Sequence, residues 1–174
     1  MVITITLPKV IAKRIEREAE KLGISLEEYI IEVLSRDLDP KDRAIEYIEA
    51  AKELLDQAKD ELEKGDVRQA AEKTWDAATL AVKAYAYNKE GKRLTSHREL
   101  WEYVEIIAND VGDWIRSTWN EASGMHICFY EGWCTLRQVE SALNHIEKLV
   151  REIEIKVKNN IENIKTHRFS TELI

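Results

Sequence analysis

Residues 65–86 read GDVRQAAEKTWDAATLAVKAYA. Gly65 closes the segment before it and Asp66 suits a helix cap. From Val67 onward, Ala71, Thr74, Trp75, Ala78, Ala81, Val82 and Tyr85 recur at three- and four-residue spacing, the period of one helix face. Upstream, Ala44, Ile48, Ala51, Leu55, Ala58 and Leu62 alternate in the same way, so a long helix with a narrow seam precedes the turn. A two-residue Gly65-Asp66 turn makes the two helices antiparallel neighbours, and their alanines permit close approach. The fold class that follows is mainly α, an antiparallel helical bundle.

Working outward, Asp39-Pro40 marks the start of the bundle, with Asp as cap and Pro at the first helical position. Downstream, Ser96 and Glu99 form a capping box ahead of Leu100, Trp101, Val104, Ile107 and Ala108. A further helix is expected along Ile115, Trp119, Ala122, His126, Phe129 and Trp133 despite Gly124. Thr135 and Gln138 then cap a last helix with the stripe Val139, Leu143, Ile146, Val150, Ile153, Val157, Ile161 and Ile164.

Toward the N-terminus, Val2 to Leu7 alternate strictly, the period of a half-buried strand. Pro8 suits a helix start, and Ile11, Ala12, Ile15, Ala19 and Leu22 make an apolar stripe ending at Gly23. Ser25 and Glu28 form another capping box before Leu26, Tyr29, Ile30, Val33 and Leu34. A lone strand has an unpaired edge, so pairing with the same strand of a second chain is expected, giving a homodimer or a higher even oligomer. The expected organisation is a dimerisation segment over 1–38, a bundle over 39–166 and a tail over 167–174.

The chain has 174 residues, 44% hydrophobic and 34% charged, with 2 Pro and 6 Gly, which suits long amphipathic helices joined by few turns. A net charge of -7 repels phosphate overall, so nucleic acid would have to meet a local patch. No run of eighteen apolar residues and no signal-peptide pattern occurs, so a cytoplasmic protein without membrane contact is expected. Cys128 and Cys134 lie outside any Cys-x-x-Cys spacing; neither a disulfide framework nor a metal site is indicated, no cofactor is expected, and both are expected to be buried and reduced.

The order ITITLP, helix, LGIS, helix resembles the ribbon-helix-helix fold over about the first fifth of the chain. That resemblance implies strands paired across a dimer in the DNA major groove, with Val2, Thr4 and Thr6 toward base edges and the helix start at Ser25 toward a phosphate. Over residues 40–150, GDVRQAAEKTWDAATLAVKAYA, SHRELWEYV and above all MHICFYEGW resemble the archaeal PaREP family of the first type. That family is similar to the HEPN superfamily of helical proteins, which includes dimeric ribonucleases and toxin–antitoxin partners. In its ribonucleases a His handles the proton, and an Arg upstream, separated from it by four to six residues, steadies phosphate charge. His126 matches that His, whereas the Arg positions carry Trp119, Asn120 and Glu121. The resemblance implies a nucleic-acid-associated protein: a DNA-binding regulator, or a degenerate ribonuclease relative of toxin–antitoxin type. Any catalysis would be metal-independent ribonuclease chemistry at His126, with Asn120, Tyr130 and Glu131 in its cleft.

The most basic stretch of the acidic chain is Lys89, Lys92, Arg93, His97 and Arg98. Lys92, Arg93 and Arg98 are therefore the candidate phosphate contacts beside a helix N-terminus. The competing expectation is a non-catalytic interaction or oligomerisation module that docks a protein partner, as the acidic balance favours. The tryptophans at helical spacing suit a core better than a base-stacking platform.

Overall fold

The computed structural model describes the backbone over residues 4–171 and side chains over residues 4–161. Seven α-helices account for its regular structure: α1 (Lys9–Leu22), α2 (Leu26–Leu34), α3 (Pro40–Glu63), α4 (Val67–Glu90), α5 (His97–Val111), α6 (Trp114–Glu131) and α7 (Leu136–Thr171).

The capping chemistry read from the sequence sets their starts. The Ser25 hydroxyl accepts from the Glu28 amide at 3.0 Å, Asp39 from Lys41 at 2.9 Å, Asp66 from Gln69 at 3.0 Å and Ser96 from Glu99 at 3.3 Å. Thr135 and Gln138 complete a reciprocal box, the Gln138 amide oxygen taking the Thr135 backbone N–H at 2.8 Å.

The helix α4 is the axis of the bundle, packed against α3, α5, α6 and α7. Every residue from Ala70 to Tyr87 except Glu72 is buried, so the helix is enclosed on all sides rather than along the one face that its spacing marks. Seven alanines in that run make this feasible, because a methyl side chain lets neighbouring backbones approach. The expected seams of α3 and α7 are the buried ones, from Ala44 to Ala58 and from Val139 to Val157.

Two expectations are corrected. Val2 lies outside the described residues, but Thr4, Ile5, Thr6 and Leu7 form neither strand nor helix and are exposed, and no strand occurs among the described residues. The ribbon-helix-helix-like strand segment is therefore not seen, and the described residues form seven helices. Alternation supplied the side-chain pattern of a strand, but a strand also needs a backbone partner, and nothing within this chain provides one. Secondly, Cys128 and Cys134 are not reduced: they form a disulfide with Cα atoms 5.6 Å apart. Gly132, in the left-handed region at φ 68°, turns the chain after α6 and brings Cys134 back to Cys128.

The hairpin α1–α2 meets the bundle through charge. Glu28 and Glu32 are buried, facing α4, where the Lys83 ammonium lies 2.7 Å from Glu28 and 3.5 Å from Glu32. Arg93 also pairs with Glu32. Below them Arg43 donates to the Ser35 carbonyl and the Tyr87 hydroxyl, each at 2.8 Å, tying the end of α2 to α3 and α4.

Candidate functional site

Three helices bring His97, His126 and a set of aromatic rings together. Trp75 projects from the middle of α4, His97 opens α5 directly after the Ser96 cap, and His126 stands on α6 one turn before Tyr130. The two imidazole centroids are 5.0 Å apart. Trp75 lies against both, 5.5 Å from His97 and 4.8 Å from His126. Trp119, fully buried, backs Trp75 at 5.1 Å, and the exposed Tyr130 meets His126 edge-on at 5.2 Å. Tryptophans thus form the floor of the site rather than an exposed stacking surface.

Half-burial holds the His126 imidazole below its ordinary value, and the neighbouring His97 adds to the effect. A neutral imidazole accepts a proton, so His126 is biased toward the form a general base requires. His97 is exposed at the mouth. From it a narrow recess of about 20 Å³ runs inward past Trp75 and Thr79 to the Lys83–Glu28 pair, roofed by Ile24 of the α1–α2 turn.

Glu28 lines that recess, and further carboxylates of α2 and α4 stand near it. Burial pushes Asp76 well above the usual carboxylate range, with Glu28 adding repulsion. Burial and then Glu27 raise Glu72 to about 7. Burial alone would also raise Glu32, but Lys83 and Arg93 overcome it and hold this carboxyl low. Among the described residues no group of three or more His, Cys, Asp or Glu could hold a metal ion. The sulfurs of Cys128 and Cys134 are joined to each other rather than offered to His126.

The other residues singled out in the sequence scatter. Thr4 and Thr6 are exposed in the irregular N-terminal segment, and Ser25 caps α2 on the inner side of the hairpin. Lys92 sits over the Tyr103 ring, Arg93 is paired with Glu32 and Arg98 with Glu102. Asn120 and Glu131 are exposed on α6. The sequence missed His97 as the neighbour of His126. It counted His97 among loop cations, and the Ser96–Glu99 box that places it at the start of α5 gives no sign of which helix it faces.

A family model, that of the archaeal PaREP1/PaREP8 family, matches residues 46–150. This chain belongs to that family. The matched span runs from α3 into α7 and includes Trp75, His97 and His126, whereas α1 and α2 lie outside it. A crystal structure of a Sulfolobus solfataricus protein is similar in fold, with a TM-score of 0.51 and 24% identity, over 64% of this chain and 96% of that one. No curated protein matches this PaREP chain. Among the described residues no helix is long and apolar enough to cross a membrane.

Proposed function

We propose that this PaREP protein is a nucleic-acid-associated, HEPN-like helical protein that binds single-stranded RNA at the His97–His126 site. The observation that supports it is the pair of imidazoles 5.0 Å apart at an accessible mouth, where a ribonuclease of this superfamily would pair an Arg with the His. A groove-reading DNA ribbon is set aside together with the strand that would have formed it.

Two imidazoles can divide the proton work of RNA transesterification without metal. His126, biased toward neutrality, takes the proton of the ribose 2′-hydroxyl as that oxygen attacks phosphorus. His97 delivers a proton to the departing 5′-oxygen, leaving a 2′,3′-cyclic phosphate and a 5′-hydroxyl. The exposed Tyr130 supplies a ring on which a base can stack.

In metal-free buffer at low salt, the protein is expected to bind a single-stranded RNA oligomer and to form cyclic-phosphate ends slowly. His126→Ala and His97→Ala should each lower cleavage by about 10²-fold or more while the fold persists. Binding without cleavage identifies a degenerate relative; no RNA affinity at low salt overturns the proposal.

The second reading, a non-catalytic module that docks a protein, is favoured by the ion pairs of the basic loop. With Arg93 held by Glu32 and Arg98 by Glu102, that loop offers phosphate little free charge. No RNA retention by either wild type or His126→Ala, with no cleavage in either, would support it.

A further inference from the structure

Helix α2 turns its carboxylates toward α4. Glu27 lies 3.4 Å from the Lys73 ammonium, Glu28 lies 2.7 Å from that of Lys83, and Glu32 pairs with both Lys83 and Arg93. With Arg43, these cations outnumber the carboxyl groups that α4 itself brings to this face, Glu72 and Asp76, whereas α2 carries no cation. Without the hairpin the face is a positive patch in a chain of net charge -7. A buried ion pair is a poor way to hold two elements together, since apolar residues of the same size do so as well or better. Lys83 and Glu28 are nevertheless both buried, and the apolar residues the hairpin adds there are Ile31, packed on the bundle core, and Leu22 and Ile24, which line the recess. Lys73, Lys83 and Arg93 lie within the span that the family model matches, and the carboxylates that cover them lie outside it.

We infer that this face of α4 is a phosphate-binding surface for the RNA strand held at His97 and His126, and that Glu28 and Glu32 occupy it in place of phosphate until a strand displaces the hairpin. The inference rests on the RNA reading above and adds its regulation. A carboxylate and a phosphate present the same kind of charged oxygen to an ammonium or a guanidinium, so one exchanges for the other without leaving a buried cation unpaired. The recess joins the two places: Thr95, Ser96 and His97 line its outer end, and Lys83 with Glu28 its inner end. At about 20 Å³ it has room for about one water and none for a nucleotide, so Lys83 is closed to RNA while Glu28 is seated. Withdrawal of α2 together with Leu22 and Ile24 removes one wall of the recess and opens a path from the imidazoles past Trp75 to the Lys83 ammonium.

The test is binding of a single-stranded uridine oligomer to the full chain at low salt, with folding followed by circular dichroism and the α2 backbone by hydrogen exchange. Glu28→Gln with Glu32→Gln keeps side-chain size and removes the competing charge, and should tighten binding by about tenfold over wild type. The same charge removed from the exposed Glu46 and Glu53 of α3 should change it by less than about twofold. Adding Lys83→Gln to the α2 pair should abolish the gain, and in wild type RNA should speed exchange of the α2 amides. Binding without the gain, a gain that the α3 pair reproduces or that survives Lys83→Gln, or α2 exchange that RNA leaves unchanged would each overturn the inference while leaving the RNA reading intact. No binding by any of these proteins, the α2 pair included, would overturn both.

Discussion

Between α3 and α4 the buried positions hold alanines, leucines and Tyr47, whereas between α2 and α4 they hold Glu28, Glu32, Asp76 and Lys83. Both helices that pack on α4 are amphipathic by spacing. The difference is what α4 offers each of them: Ala71, Ala78 and Ala81 are among its small side chains, while Lys83 presents a charge that nothing apolar could satisfy. Periodicity therefore tells which side of a helix is apolar, but the facing element decides which side goes inward.

Replacing Lys83 should have the largest effect on this contrast. Lys83→Met leaves the buried Glu28 without its cation, while Glu32 keeps Arg93, and should cost about 4 kcal/mol in urea unfolding, largely recovered when Glu28→Leu is added. A loss under about 1 kcal/mol would mean that the ion pair is not what docks the hairpin.

On the apolar side, Ile153→Ala removes a fully buried side chain of α7 and should cost about 3 kcal/mol, with no dependence on pH. A pH-dependent loss would show that the bundle core shares the electrostatics of the hairpin.

The smallest effect is at Glu72, whose carboxyl is raised to about 7 from 4.5 by burial and then Glu27. The folded state holds this proton more tightly than the unfolded chain. Its contribution is therefore complete below the unfolded value and fades as pH rises through about 7. Glu72→Gln should accordingly be near neutral at about pH 4 and stabilising by ~1 kcal/mol at about pH 8, after allowance for partial solvent screening. Parallel stability–pH curves for the two proteins would contradict it.

The bundle was legible because its evidence is local: spacings of three and four, Ser96–Glu99 and Thr135–Gln138 boxes, and glycines at helix ends. Three features were not, and each depends on something distant in sequence. Val2 to Leu7 alternates as a strand does, but pairing is a property of a partner. The leucines of α2 face outward because of a lysine 49 positions after Leu34. His97 meets His126 because α5 and α6 both pack on α4, a relation that neither residue's neighbours encode. His126 itself was found by resemblance, through the string around it.

The covalent link at the end of α6 bears on the shape of the site. Cys128 and Cys134 are six positions apart, so their bond closes a small ring containing Tyr130 and Trp133. Closing so short a loop removes about 2 kcal/mol of freedom from the unfolded chain. The ring also ties the chain that follows α6 back to the helical turn that carries Tyr130 beside the His126 imidazole, so the course of this corner rests on a covalent bond.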